Sequence, residues 1–284
     1  MGVTMLRQEI CILCRGDYSS AHVIRVLQNR NPFPLSEKIN IGEFCKNPED
    51  IGSSDDENCF FVVDSKERCL WKIARKTGNY HKFLHLQFTY FPRLVMLPVS
   101  CDGQELLILT PRSLDIYRAS RPRGAVQKPL LTVHLPSDID DPLHAVETSS
   151  GDFVVLHSVE KDVNETVKLK VREKQLLFAV SKVTRDGRLV RRRFVPQNEA
   201  QELKAPCYLA LDSDDRVFVA DEGSGRVILL DSDLSWIRIF CQSDFEDQGK
   251  ILPHRLCCDK VDRQLIVSGL YRREVVNVYS IDRK

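Results

Sequence analysis

The stretch that decides the fold of this chain is Pro206–Leu230, which reads PCYLALDSDDRVFVADEGSGRVILL. It contains three short apolar runs, at 207–211, 217–220 and 227–230, that are rich in β-branched and aromatic residues. Each run is too short for a helix, and the polar clusters between the runs have the composition of hairpin turns. The stretch therefore predicts three consecutive strands of one antiparallel sheet.

The same arrangement recurs along the chain, and each unit opens on a proline. The opening prolines lie 44, 50, 64 and 47 residues apart and are Pro48, Pro92, Pro142, Pro206 and Pro253. A period of about 40–50 residues with three or four strands per unit is typical of the blades of a β-propeller. The longest interval contains a charged stretch at 160–174, which we interpret as a long loop between two strands.

The N-terminal part of the chain matches a unit that lacks its first strand. Apolar runs at 10–13 and 22–27 correspond to the second and third strands of the pattern. Together with the five units that open on a proline, this incomplete unit predicts an all-β, six-bladed propeller. We expect a single domain over residues 10–284, an N-terminal extension at 1–9, and a last unit without an obvious fourth strand. How the ring closes stays open at this point.

The pattern within the units resembles the NHL repeat. In that repeat a proline begins a strand that ends in Asp, a second strand ends in Val-Ala-Asp, and a third opens on Arg-Val. The step from proline to Asp is six residues in both Pro206–Asp212 and Pro253–Asp259. The resemblance implies six blades, and the chain looks most like the C-terminal propeller of tripartite-motif (TRIM-NHL) proteins, although no RING, B-box or coiled coil stands in this sequence.

Composition sets the broad class of protein. Of the 284 residues, 43% are hydrophobic and 29% are charged, which suits a globular protein with a sizeable core. The net charge of +1 favours neither nucleic acid nor membrane. There is no apolar run of about 18 residues, and the N-terminus does not resemble a secretory signal. Most of the ten cysteines lie in apolar strands, so we predict reduced core thiols of a cytoplasmic protein. We also expect the propeller to be monomeric.

Few residues suggest metal binding or catalysis. Cys11 and Cys14 have the spacing of a zinc knuckle, but no second ligand pair follows, so we interpret them as buried strand residues. His144 and His254 follow opening prolines, where side chains of a propeller can point to its axis. The other units offer Glu49, Arg93 and Cys207 there instead. We predict no metal, no cofactor and no catalytic residue, and keep a metal-dependent hydrolase or lyase as a third alternative.

Two aspartates end strands of the NHL-like pattern. Asp64 and Asp221 each precede a polar turn. A carboxylate in that position accepts hydrogen bonds from the backbone N–H groups of the turn. We therefore predict a structural role for both residues rather than a catalytic one.

Basic clusters are the clearest functional feature of the sequence. Arginine suits RNA because it contacts phosphates and stacks on bases, and a tyrosine offers a further stacking ring. Acidic runs nearly cancel the charge, so solvated loop arginines and contact with an acidic protein stay as alternatives. The candidate binding residues are Arg121, Arg123, Arg191, Arg193, Tyr271, Arg272 and Arg273.

These features favour a non-enzymatic recognition module that binds a protein partner through the loops at one end of the propeller. The resemblance to TRIM-NHL proteins implies the substrate-recognition part of a ubiquitin-ligase system. The alternative is an RNA-binding propeller that uses its arginine clusters in post-transcriptional regulation. The sequence does not identify the partner, the RNA motif or the loops that share a face.

Overall fold

The structure is a computed structural model that describes residues 2–6, 9–14, 22–28, 35–54, 57–86, 96–99, 105–119, 128–161, 175–194, 202–242, 252–271 and 273–281. Within these ranges the chain forms 23 strands in six antiparallel sheets and no helix. The prediction of an all-β, six-bladed propeller is confirmed. This part of the chain accordingly has no helix that could span a membrane. The proposed boundary between residues 1–9 and the domain at 10–284 stays a prediction.

The first three blades each contain four strands in chain order. Blade 1 consists of β1 (Gly2–Leu6), β2 (Glu9–Cys14), β3 (Val23–Gln28) and β4 (Leu35–Asn40). Blade 2 consists of β5 (Pro48–Ser54), β6 (Cys59–Asp64), β7 (Cys69–Ala74) and β8 (Tyr80–His85). Blade 3 consists of β9 (Met96–Val99), β10 (Glu105–Leu109), β11 (Ser113–Arg118) and β12 (Leu131–His134).

The remaining blades follow the same order. Blade 4 consists of β13 (Asp140–Glu147), β14 (Phe153–Lys161), β15 (Gln175–Val183) and β16 (Leu189–Phe194). Blade 5 consists of β17 (Pro206–Leu211), β18 (Val217–Asp221), β19 (Arg226–Leu230) and β20 (Trp236–Gln242). Blade 6 consists of β21 (Leu252–Asp259), β22 (Gln264–Tyr271) and β23 (Arg273–Ser280).

The first strands of the blades form the inner ring of the propeller. Strand β1 contacts β5, β5 contacts β9, β9 contacts β13, β13 contacts β17, and β17 contacts β21. The ring closes because β21 also contacts β1. These six strands therefore surround the central axis of the propeller.

The expectation that the first blade lacks its first strand is wrong. Strand β1 pairs with β2 from Gly2↔Leu13 to Leu6↔Glu9, so blade 1 has a first strand and contains four strands. Sequence analysis missed this strand because it is only five residues long and no proline opens it. It completes the blade and supplies the surface that packs against blade 6.

The last blade has three strands among the residues that the structure describes, as the sequence predicted. Among the described residues no strand is shared by blades 1 and 6, which meet by side-chain packing. Val3, Ile10 and Ile12 of blade 1 form one buried cluster with Ile266 of blade 6. Apolar contact between these side chains thus contributes to the closure of the ring.

Strand alternation explains how one blade packs against two neighbours. In β6 every residue is buried. Phe60 and Val62 pack in the cluster shared with blade 1, whereas Phe61 and Val63 pack in the cluster shared with blade 3. Because successive side chains point to opposite faces of a strand, an uninterrupted apolar run buries both faces of the sheet. The core of the protein is therefore a series of apolar layers between blades.

Candidate functional site

The first strands of four blades carry the same irregularity. In blade 2, Pro48 pairs with Asp64 and Asp50 pairs with Val63, so Glu49 is an extra residue. The same register shift follows Pro142, Pro206 and Pro253, where the extra residues are Leu143, Cys207 and His254. A β-bulge of this kind bends a strand and redirects the side chains beside it. The repeated proline thus marks a bulge on the inner ring of the propeller.

Four polar side chains converge immediately after these bulges. Each residue lies two positions after an opening proline, on β5, β13, β17 or β21; the four are Asp50, His144, Tyr208 and Arg255, and we call them the axial cluster. Arg255 Nε lies 3.5 Å from Asp50 Oδ1, and its guanidinium carbon lies 5.0 Å from the centre of the Tyr208 ring. The Tyr208 ring centre is 3.6 Å from that of His144. One chain of contacts therefore joins four blades.

Burial and charge fix the ionisation of the axial cluster. Burial, assisted by the charge of Arg255, holds the pKa of His144 well below its usual range, so the imidazole is neutral at pH 7. Burial raises the pKa of Asp50, and Arg255 opposes that rise. Burial and the Asp50 carboxylate raise the pKa of Tyr208 well above its usual range. The cluster is therefore a buried ion pair flanked by two neutral rings.

The hydrogen bonds of His144 define its tautomer. The backbone N–H of Leu209 donates to His144 Nδ1 at 3.3 Å, so the proton of the neutral ring lies on Nε2. Within the described residues, His144 Nε2 and Asp50 Oδ2 are buried and have no hydrogen-bond partner. His144 and Asp50 are 0% and 1% exposed. The axial cluster is largely buried, with 15% of the Arg255 side chain exposed, and its contacts join blades 2, 4, 5 and 6.

A second group lies one residue away along the same strands. Cys207 and His254 are the extra residues of the bulges in blades 5 and 6, and Glu222 follows the end of β18. One ligand-type atom from each side chain lies within 4.8 Å of the other two. His254 Nδ1 and Glu222 Oε2 are 3.1 Å apart. We call these three residues the Cys–Glu–His triad.

The triad is partly open to solvent. The side chains of His254 and Glu222 are 22% and 33% exposed. The Cys207 thiol contacts the carbonyl oxygen of His254 at 3.4 Å and that of Pro253 at 3.6 Å. Burial raises the pKa of Cys207 to about 12, so this residue is a thiol at neutral pH when the site holds no cation. A thiol, an imidazole and a carboxylate together form a set of donors that suits a transition metal.

Sequence analysis considered Cys207 and His254 only as unmatched axial positions and missed Glu222. The structure joins them because the bulges of neighbouring blades lie side by side and the β18–β19 turn reaches them. His144 belongs instead to the axial cluster. A detectable signal was present for the axial cluster, since the second residue after four of the repeated prolines carries a polar group, in Asp50, His144, Tyr208 and Arg255.

The structure confirms that Cys11 and Cys14 are buried strand residues. Cys11 packs in the apolar cluster shared with blade 2, whereas Cys14 packs in the cluster shared with blade 6. Residues three apart in a strand point to opposite faces, so these two thiols cannot ligate one metal ion.

The structural role of Asp64 and Asp221 is also confirmed. Asp64 is fully buried and accepts hydrogen bonds from the backbone N–H groups of Lys66 and Glu67 in the following turn, and from Lys46 at 2.7 Å. Although burial opposes it, these backbone bonds lower the pKa of Asp64. Asp221 accepts from the backbone N–H of Ala205 at 2.8 Å. Each aspartate thus joins a turn or an incoming segment to its blade.

The predicted basic site is only partly described. Arg191 and Arg193 lie on β16, the outer strand of blade 4. Tyr271 ends β22 and Arg273 begins β23, where the two residues pair across the turn. Arg121, Arg123 and Arg272 lie outside the described residues. The binding role of these seven residues stays a prediction.

Comparison with known proteins supports the fold and goes no further. No protein-family model and no curated protein matches the chain. Among solved structures, hydrazine synthase of Kuenenia stuttgartiensis is similar, with a TM-score of 0.66 and 11% identity over 99% of this chain and 96% of that one. The β-propeller domain of Swd1 from Myceliophteria thermophila has a TM-score of 0.59 and 11% identity over 99% and 98% of the two chains.

A structure of a nidogen–laminin complex is similar as well, with a TM-score of 0.56 and 12% identity over 84% of this chain and 78% of that one. These similar structures include an enzyme and a protein complex. They establish the propeller architecture of this chain, which serves both catalytic and recognition roles in different proteins.

Proposed function

We propose that this chain is a non-enzymatic recognition module that binds a protein partner at one end of its propeller. Support for this proposal comes from the exposed large apolar side chains of the described residues. Four lie where an outer strand begins, in blades 1, 2, 3 and 5, and one lies on the β21–β22 turn; they are Leu35, Tyr80, Leu130, Ile237 and Val261.

These positions share one edge of their blades. In an antiparallel sheet, the turn from the first strand to the second lies at the same edge as the turn from the third to the fourth; we call this the front edge. Contacts between blades place neighbouring front edges together. Ser149 of the β13–β14 turn donates its backbone N–H to Asp215 of the β17–β18 turn at 2.9 Å, and Arg263 of the β21–β22 turn lies 3.6 Å from Asp214.

The arrangement suits a protein interface. Isolated apolar side chains are common on surfaces, but an interface concentrates them at its centre and surrounds them with polar groups. Val261 is 71% exposed and Leu35 is 56% exposed. Tyr80 stacks on Phe44 with ring centres 3.6 Å apart, which holds an aromatic anchor in place. The front edge therefore offers exposed apolar side chains, of which Tyr80 is held by stacking, among the charged groups of the turns.

The resemblance to TRIM-NHL propellers supports a more specific version of this proposal. In that version the chain selects substrates for a ubiquitin-ligase system in the cytoplasm, and the ligase activity comes from another domain or protein. The support is the NHL-like pattern of the units opened by Pro48, Pro206 and Pro253. The aspartates of that pattern hold the turns together, as the role of Asp64 illustrates.

The test is affinity capture from an extract of the source cells with three versions of the chain. The wild type is compared with Leu130→Ser/Val261→Ser on the front edge and with Glu43→Ser/Lys66→Ser, which changes exposed residues elsewhere. We expect a partner that the wild type and the control retain and the front-edge variant loses. A partner retained equally by all three would reject the front edge as the binding surface.

RNA binding is the second candidate. Arg191 and Arg193 lie two positions apart on β16, the outer strand of blade 4. Contact with about six phosphates predicts that affinity for single-stranded RNA falls on the order of 10³-fold between 50 and 200 mM salt. Arg191→Ala/Arg193→Ala should then weaken binding. An absence of binding to a randomised RNA pool at 50 mM salt would exclude this candidate.

A further inference from the structure

We propose that the Cys–Glu–His triad binds one transition-metal dication, with zinc as the best fit. This inference is independent of the protein-binding proposal, because the triad lies where strands begin and where the β18–β19 turn ends the second strand, opposite the front edge. The donor atoms are the thiolate sulfur of Cys207, a carboxylate oxygen of Glu222 and the imidazole nitrogen of His254.

The distances suit a single ion. Bonds from zinc to nitrogen or oxygen are about 2.0–2.2 Å, and the bond to sulfur is about 2.3 Å. Ligand atoms in a tetrahedral site are therefore separated by roughly 3.5 Å. His254 Nδ1 and Glu222 Oε2 are already 3.1 Å apart, and all three donors lie within 4.8 Å of one another. The separations of the three donors are therefore close to the spacing that a tetrahedral site requires.

The backbone around the triad is held firmly. Cys207 and His254 are the extra residues of two bulges whose flanking residues pair with β18 and β22. The next residues along each strand, Tyr208 and Arg255, are fixed in the axial cluster, where the guanidinium lies over the tyrosine ring. A site whose ligands sit on rigid elements binds metal without a large ordering cost.

The combination of donors selects the metal class. A thiolate together with an imidazole favours zinc, cobalt or iron over calcium and magnesium, which prefer oxygen ligands alone. Three protein ligands leave one position of a tetrahedral ion open to water or to an added molecule, which is the arrangement of reactive rather than closed sites. The partial exposure of His254 and Glu222 gives the ion a path from solvent.

Binding has a structural consequence. Cys207 and Glu222 belong to blade 5, whereas His254 belongs to blade 6. A bound ion therefore ties the three-stranded last blade to its neighbour. Because the ion binds the folded state, saturating zinc should raise the Tm by about 5 °C.

The experiment uses the full chain after removal of metal with a chelator and dialysis, followed by titration with cobalt(II) and then zinc(II). We expect one cobalt per chain, with visible d–d bands of tetrahedral cobalt and a near-ultraviolet thiolate-to-cobalt charge-transfer band, and displacement by one zinc. Cys207→Ser should abolish the charge-transfer band. Glu222→Gln, a change in a surface turn, should weaken binding at least tenfold without unfolding the chain.

Cys241→Ser is the matched control, because Cys241 is a partly buried thiol on β20 outside the triad. It should leave the stoichiometry and the charge-transfer band unchanged. The proposal is overturned if the wild type binds no cobalt, if the band survives in Cys207→Ser, or if Glu222→Gln binds as tightly as the wild type. Loss of the band in Cys241→Ser would likewise overturn it, because the thiolate ligand would then be another residue.

Discussion

Neighbouring residues of the same two strands belong to different kinds of site. Cys207 and His254 lie in the partly exposed triad, whereas Tyr208 and Arg255, each one residue further along, lie in the buried axial cluster. The bulge after each proline turns the side chains of these neighbouring residues in different directions. One local irregularity, repeated between blades, thus builds both a buried structural cluster at the axis and a partly exposed set of metal-type donors beside it.

For the same reason, removal of a charge should have different effects on stability in the axial cluster and in the triad. A charge in the axial cluster has lost its water, so removal of its partner leaves an uncompensated buried charge. A charge in the triad keeps part of its hydration, so its loss affects the folded state much less. The axial cluster should therefore control stability, and the triad should control metal binding.

The largest effect is expected from Arg255→Met. This change leaves the Asp50 carboxylate buried without its cation, and the free energy of unfolding should fall by about 3–5 kcal/mol. Denaturant unfolding measures it directly. As a matched control, Asp50→Leu/Arg255→Met removes both charges and should restore stability to within about 1 kcal/mol of the wild type. A loss below 1 kcal/mol in the single variant would contradict the picture of a buried pair.

A smaller loss is expected from Tyr208→Phe. The hydroxyl of Tyr208 interacts with the buried Asp50 carboxylate, while the ring contacts with Arg255 and His144 are retained in phenylalanine. The free energy of unfolding should fall by about 1–2 kcal/mol. Unchanged stability would mean that the ring, and not the hydroxyl, accounts for the contribution of this residue.

The pH dependence of stability tests His144. Its folded pKa lies well below the unfolded value of 6.5, mainly because of burial, so the unfolded chain binds the proton more readily. The stability that His144 contributes is complete above pH 6.5 and is lost as the pH falls toward the folded pKa. Between pH 6.5 and 5, the free energy of unfolding of the wild type should fall by up to about 1.4 kcal/mol per pH unit more than that of His144→Gln.

Unfolding curves of both proteins at half-unit pH steps measure this difference. Above pH 7.5 the plots of unfolding free energy against pH should run parallel for the two proteins, because residue 144 is then protonated in neither the folded nor the unfolded chain. Parallel curves over the whole range would show that the ring is solvated in the folded protein, contrary to its position in the axial cluster.

The smallest effect on stability is expected from Glu222→Gln. The Glu222 side chain is one-third exposed, so loss of its charge in the metal-free chain should change the free energy of unfolding by less than about 1 kcal/mol. The same variant should bind cobalt at least tenfold more weakly. A large loss of stability would place Glu222 with the structural residues and remove the contrast between the two sites.

Much of the fold was predictable from local pattern. The prolines, the strand-ending aspartates and the turn residues recur at a period that only a few architectures share, and Asp64 performs the role that its position predicted. Strand β1 was not predictable in this way, because a short run with no opening proline gains its stability from packing on blade 6 rather than from its own sequence.

The candidate sites were less predictable. The pairing of Cys207 with His254 requires the bulges of blades 5 and 6 to lie side by side, and Glu222 reaches them from a turn 15 residues further along the chain than Cys207. The four axial residues are separated by up to 205 positions, from Asp50 to Arg255. Spacing along a chain does not determine which residues of different blades meet.

The sequence by itself determined the repeat, the number of units, the strand-and-turn order of units such as the one opened by Pro206, and the burial of Cys11 and Cys14. These properties depend on alternation and turn chemistry, which act over a few residues. Only the tertiary structure decided how the ring closes, which polar residues share the axis and which side chains form the triad. Those outcomes depend on the closure of six blades into a ring, which joins positions that local interactions leave far apart.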